Sequence, residues 1–145
     1  SDVCSSDLIN GPNLNLLGLR ETDVYGTETL GDIENWLLDS VGSNEHEIDW
    51  YQSNHEGEII DKIHMCIDNY NSIIINPGAY THYSYAIRDA IISVKIPTVE
   101  VHLSDIKNRE EFRKHSVIED ICIAQVTGHG KNGYLKAFQI LLNYL

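Results

Sequence analysis

The chain has 145 residues, 42% hydrophobic and 22% charged, with a formal net charge of -12. That length and balance fit one globular domain over residues 1–145, large enough to bury a core without staples. The acidic balance argues against nucleic acid and anionic membranes as partners, since basic patches supply most of that affinity, and no apolar run approaches a membrane span.

The three cysteines, Cys4, Cys66 and Cys122, are odd in number and form no CxxC pair. They read as reduced, mostly buried thiols. Residues 1–7 contain neither a basic n-region nor an apolar h-region, so a signal peptide is not expected and the cytoplasm is.

Leu8 to Asn10 reads as the end of a first strand, followed by a long loop from Gly11 to Gly26. Thr29 and Asp32 have capping-box spacing. They open a predicted helix carrying Leu30, Ile33, Trp36, Leu37 and Val41 on one stripe. His46 to Gln52 alternates as a strand. Asn54 is placed to cap the next helix, where Ile59, Ile60, Ile63, Ile67 and Tyr70 keep helical spacing. Ser72 to Asn76 holds three consecutive isoleucines, the pattern of a strand buried on both faces. Ser84 to Ser93 predicts a helix, Pro97 to His102 a strand, and Arg109 to Lys114 a short charged helix. Ile121 to Thr127 predicts the fifth strand and Gly133 to Leu145 the last helix. Strands alternating with helices imply a parallel sheet. The economical fold is α/β, a flavodoxin-like doubly wound sheet of order 2-1-3-4-5 with helices on both faces.

Such sheets bind ligands outside the carboxyl ends of their strands. Three polar segments fall there: Asn10 to Asn13, Asn76 to Gly78, and Glu100 to Ser104. In the loop 11–26, Gly18 and Gly26 bracket Arg20 and Tyr25 like the hinges of a lid. An Arg beside a Tyr favours the phenolate, which is a base where the phenol is not. Taken alone, Arg20 reads more readily as a solvated charge and Tyr25 as a half-buried anchor. His82 falls near the start of a helix, where backbone N–H groups favour anions. Glu100 and His102 are two apart in a strand and share a face. The carboxylate would then fix the imidazole tautomer, although a satisfied buried ion pair has the same spacing. Gly128 to Gly133 matches GxGxxG, but no strand is expected between it and Leu145 to supply the acidic partner of a dinucleotide site. It reads as a tight turn against a helix.

These segments together resemble the type II 3-dehydroquinate dehydratases. The similarity lies in Asn10 to Gly18 (Asn-Gly-Pro-Asn-Leu-Asn-Leu-Leu-Gly), Arg20 to Gly26, and Asn76 to His82 (Asn-Pro-Gly-Ala-Tyr-Thr-His). It continues through Ile87 to Ala90, Glu100 to Ser104, Arg109 to Ser116 and Gly128 to Ala137, in one order. The resemblance implies a cytoplasmic shikimate-pathway or quinate-breakdown lyase with no cofactor and no metal. Its substrate would be the small anion 3-dehydroquinate, dehydrated to 3-dehydroshikimate by anti elimination through an enolate. It implies Tyr25 as general base and Arg20 as the charge that favours its phenolate. It implies Asn13 as holder of the water that meets the enolate, and His102 as general acid oriented by Glu100. Asn76 with the backbone amides of Leu103 and Ser104 would take the carboxylate, and His82 and Arg113 the ring hydroxyls. Asp89 would reach a neighbouring subunit's site, in trimers assembled into a homododecamer.

The chain departs from the pattern twice. Asp2 to Asp7 is polar where the family has an apolar first strand, which reads as a truncated or foreign start. It forgoes about 1.5–3 kcal/mol per large side chain that would have been buried. Thr22 stands where the family often has Pro, implying a looser lid. Two other readings stay open: a flavodoxin-like nucleotide or flavin binder, and a small-anion sensor that keeps the fold without turnover.

Overall fold

A computed structural model describes residues 4–42 and 46–145. The polar N-terminal segment is therefore visible from Cys4 onward, and residues 1–3 lie outside the described residues. Five strands, β1 (Ser5–Asn10), β2 (Glu47–Gln52), β3 (Ser72–Asn76), β4 (Thr98–His102) and β5 (Ala124–Thr127), form one sheet in the order β2-β1-β3-β4-β5. Every neighbouring pair is parallel. This is the predicted flavodoxin-like order.

The helices are α1 (Thr22–Tyr25), α2 (Leu30–Val41), α3 (Glu56–His64), α4 (Tyr85–Val94) and α5 (Asn132–Tyr144). Alternation along the strands sorts the core into two layers. Leu8, Ile74, Val99, Val101 and Val126 pack against α2 and α5 on one face. Ile9, Ile73 and Ile75 pack against α3 and α4 on the other. The capping box forms: Thr29 accepts from the Asp32 N–H, and Asp32 accepts from the Thr29 N–H.

The first strand forms despite its polar start, and it carries that polarity into the core. Ser6 and Asp7 are fully buried in β1. Ser6 pairs with Ser72 across the sheet at 2.6 Å. Asp7 has Lys62 at 3.5 Å and accepts from the Cys66 thiol at 3.3 Å. Its Oδ1 has no hydrogen-bond partner. Burial therefore pushes the Asp7 carboxyl above its ordinary range, and Cys66 and Lys62 only partly oppose this.

Three expected elements change. The helix expected to run to Tyr70 stops at His64, and Asp68 is left-handed at φ 65°. The chain has to turn there to enter β3, so Ile67 ends half exposed. Asn54 does not cap α3; that position is His55, which makes no side-chain cap. Instead Asn54 Oδ1 accepts from the Asn13 N–H at 2.9 Å and from Gln52 at 3.1 Å. The last strand starts only at Ala124, because Glu119–Ile121 coil into a 3-10 turn. The charged segment expected at 109–114 is likewise a 3-10 turn, Glu111–Lys114.

Candidate active site

The carboxyl ends of β1, β3 and β4 open on one cavity. Asn10 and Asn76 are register partners, and the loops beyond them are packed backbone to backbone. The Gly11 N–H donates to the Asn76 carbonyl at 2.7 Å. A Cβ on Gly11 would lie 2.5 Å from the Pro77 carbonyl oxygen, so only glycine fits. Gly78 closes the other side, left-handed at φ 59° and against the Pro12 carbonyl. Asn13 follows, also left-handed at φ 69°, held by Asn54.

Asn13, Arg20, Tyr25, Asn76, His82, His102, Leu103, Ser104 and Arg113 all line this cavity. Glu100 stands directly behind His102. Asp89 does not join them: it is exposed on α4.

β4 places Glu100 and His102 on one face, as their spacing predicts. His102 Nε2 lies 2.5 Å from a Glu100 oxygen, with both side chains buried. Thr81 donates to the same oxygen at 2.5 Å, and Ser116 donates to both oxygens at 2.8 and 2.9 Å. Burial alone would raise the Glu100 carboxyl. The hydrogen bonds from His102, Thr81 and Ser116 outweigh it and hold the carboxyl below its ordinary range. His82 Nδ1 meets the His115 carbonyl at 2.7 Å. Burial pushes its pKa down, the His115 contact partly opposing.

The loop expected to act as a lid carries the short helix α1. Gly18 and Gly26, at φ 93° and 81°, bracket it. Thr22 is its first residue, and Glu21 before it is left-handed, φ 37° and ψ 54°. A proline at 22 would disfavour that Glu21 conformation. The Arg20 guanidinium carbon sits 4.8 Å from the Tyr25 ring centroid.

A second arginine was missed. Arg109 Nη1 donates to the Tyr25 hydroxyl at 2.7 Å and lines the same cavity. In sequence it was one charge of a run, 84 residues from its partner. Only the resemblance block 109–116 marked that stretch.

The Gly128 and Gly130 N–H groups donate to the Ser104 and Leu103 carbonyls at 3.1 and 3.0 Å. The Gly-rich turn thus fixes the 103–104 backbone, and Gly133 packs on Val101 as α5 begins. Among the described residues, no group of three or more His, Cys, Asp or Glu side chains is placed to hold a metal ion. Nor is any helix among them long and apolar enough to cross a membrane.

Comparison with known proteins gives the family. The model of the family "Dehydroquinase class II" matches residues 5–142. A 3-dehydroquinate dehydratase from Caldicellulosiruptor saccharolyticus is 54% identical over 143 residues, covering 95% of this chain and 96% of the relative. The type II dehydroquinase of Butyrivibrio crossotus superposes with a TM-score of 0.94 at 49% identity, covering 97% of this chain and 98% of its own. That of Propionibacterium acnes gives 0.91 at 35% identity and 99% coverage of both. With a family match over nearly the whole chain, this protein belongs to the class II dehydroquinases.

Proposed function

We propose that the chain dehydrates 3-dehydroquinate to 3-dehydroshikimate, with Tyr25 as base and His102 as acid. The observation that carries this reading is the pairing within one cavity of a Tyr flanked by two arginines and a His backed by a buried carboxylate. The Tyr25 phenolate removes the proton on the carbon between the ketone and the carbon bearing the leaving hydroxyl. The electron pair moves to the ketone oxygen as an enolate, met by a water held at Asn13. As the enolate collapses, the β-hydroxyl leaves and takes a proton from His102, completing the loss of water. Since Nε2 is bound to Glu100, Nδ1 is the nitrogen that delivers the proton.

Arg20 and Arg109 hold the phenolate charge. Asn76 and the amides of Leu103 and Ser104 take the substrate carboxylate, while His82 and Arg113 take the ring hydroxyls. Self-association belongs to the same reading, as trimers assembled into a homododecamer in which Asp89 reaches a neighbouring copy's site. Its three free thiols suit a reducing cytoplasm.

The test is direct. The purified chain is incubated with 3-dehydroquinate and the conjugated enone is followed by ultraviolet absorbance. Enone formation that is lost in Tyr25→Phe, and insensitive to borohydride, supports the reading. A folded sample that makes no enone overturns it.

A further inference from the structure

The phenol of Tyr134 is a fully buried polar group that this chemistry leaves unused. It sits at the start of α5, fully buried in the layer between that helix and the sheet. Its hydroxyl bridges the two asparagines that end adjacent strands. It donates to Asn10 Oδ1 at 2.6 Å and accepts from Asn76 Nδ2 at 3.1 Å.

Backbone groups fix the polarity of this bridge at both ends. Asn10 Nδ2 donates to the Tyr51 carbonyl at 3.2 Å, and a carbonyl can only accept. Asn76 Oδ1 accepts from the Gly78 N–H at 3.3 Å, and an N–H can only donate. Neither amide can turn over without facing like against like. The hydrogen bonds therefore run one way: Gly78 to Asn76, Asn76 to Tyr134, Tyr134 to Asn10, Asn10 to Tyr51.

One hydrogen of the Asn76 amide is left over, and Asn76 lines the cavity. With Oδ1 turned to the Gly78 N–H, the remaining N–H of Asn76 is a donor available to the cavity. That suits an acceptor such as a carboxylate.

We infer that Tyr134 is a positioning residue for substrate binding, holding Asn76 so that its remaining N–H points as a donor into the cavity. This rests on the proposed role of Asn76 toward the carboxylate. The phenol suits the task because burial pushes its pKa up, with the Asn76 hydrogen bond only partly opposing, so its proton stays on. Losing the hydroxyl would leave a buried Asn76 N–H without its acceptor, and the amide would be drawn out of position.

The test is steady-state kinetics on Tyr134→Phe, Asn76→Ala and the double variant, each checked by circular dichroism. Tyr134→Phe is expected to raise KM about tenfold and to move kcat less than about threefold. In the Asn76→Ala background it should raise KM no further, since residues that act through one another are non-additive. A fold-only role predicts that the two effects multiply, and that outcome overturns the inference. So does an unchanged KM in folded Tyr134→Phe. Unchanged KM in Asn76→Ala alone would instead sink the carboxylate role of Asn76, and the inference with it. Should Tyr134→Phe not fold, Asn10→Ala keeps the ring in place and removes the acceptor of its proton, together with the Asn10 donor to the Tyr51 carbonyl. The same KM rise is expected there, and its absence overturns the inference.

Discussion

At the scale of single residues, two side chains carry separable expectations. Arg109 reaches the Tyr25 hydroxyl with a charged donor at 2.7 Å. Such a donor aimed at a developing or resident anion is worth about a hundredfold or more in rate. Arg109→Gln is therefore expected to lower kcat by about that factor with KM changed far less, read from the enone assay. Glu100 is a different case, because it also bears on stability. Its carboxyl is held below the ordinary range by His102, Thr81 and Ser116. A depressed carboxyl contributes stability that is present above its unfolded pKa, about 4.3, and lost as pH falls through the lower folded value. Glu100→Gln removes that contribution, so its melting temperature should fall less steeply below about pH 4.3 than the parent's. Its kcat should drop about a hundredfold, since the proposed acid, His102, loses its orienting partner. The sequence revealed these two residues unequally. Glu100 and His102 are two apart on a strand, so their contact was legible from spacing alone. Arg109 and Tyr25 meet across 84 residues of chain, and no local period encodes such a meeting. Asn54 was misread for the same reason: a cap was the nearest use for it, whereas its Oδ1 serves Asn13 on another loop.

At the scale of elements, what was legible followed the hydrophobic period. The isoleucines of β3 and the stripe on α2 left little freedom, since their burial dominates local preference. Ends were less legible. In α3 the period ran on to Tyr70, but the turn at Asp68 needed to reach β3 overrode it. The first strand shows how far tertiary context can override composition. β1 lies between β2 and β3 and pairs with both in register, although Ser6 and Asp7 are buried within it. Pairing on both sides supplies what apolar side chains do not. The cost falls on Asp7, whose Oδ1 lacks a partner. A raised carboxyl has the opposite sign to Glu100: its contribution is present below the unfolded pKa, about 3.9, and is lost as pH rises through the folded value. Asp7→Val should therefore stabilise the chain by about 1–3 kcal/mol at neutral pH. The gain should shrink toward pH 4. Urea midpoints at pH 7 and pH 4 check both statements, and a variant less stable at pH 7 would show that Lys62 and Cys66 more than compensate for burial.

At the scale of the whole molecule, the net charge of -12 and an anionic substrate are reconciled locally. Arg20, Arg109 and Arg113 share one cavity, and charges beyond about 10 Å are largely screened at 0.1 M salt. The cluster itself leans on acidic neighbours, Glu21 at 2.8 Å from Arg20 and Glu110 at 2.8 Å from Arg113, so a substrate carboxylate would compete with them. The proposed assembly gives the last expectation. Tyr85, Asp89 and Ile92 are spaced i, i+4 and i+7 on α4, which places them along one side of the helix. All three are exposed in the single chain. An exposed stripe that combines an aromatic ring, an aliphatic side chain and a carboxylate suits a contact between copies, with Asp89 delivered toward a neighbouring site. Light scattering should then give a mass near twelve times the 16.4 kDa chain. Ile92→Glu, which puts a charge into that stripe, should shift the protein to smaller species without unfolding it, and kcat/KM should fall in step as Asp89 loses its target. Asp89→Ala should lower kcat/KM while the mass stays at the assembled value. If Ile92→Glu dissociates the assembly and kcat/KM holds, each chain's cavity is complete by itself and Asp89 has no part in the reaction.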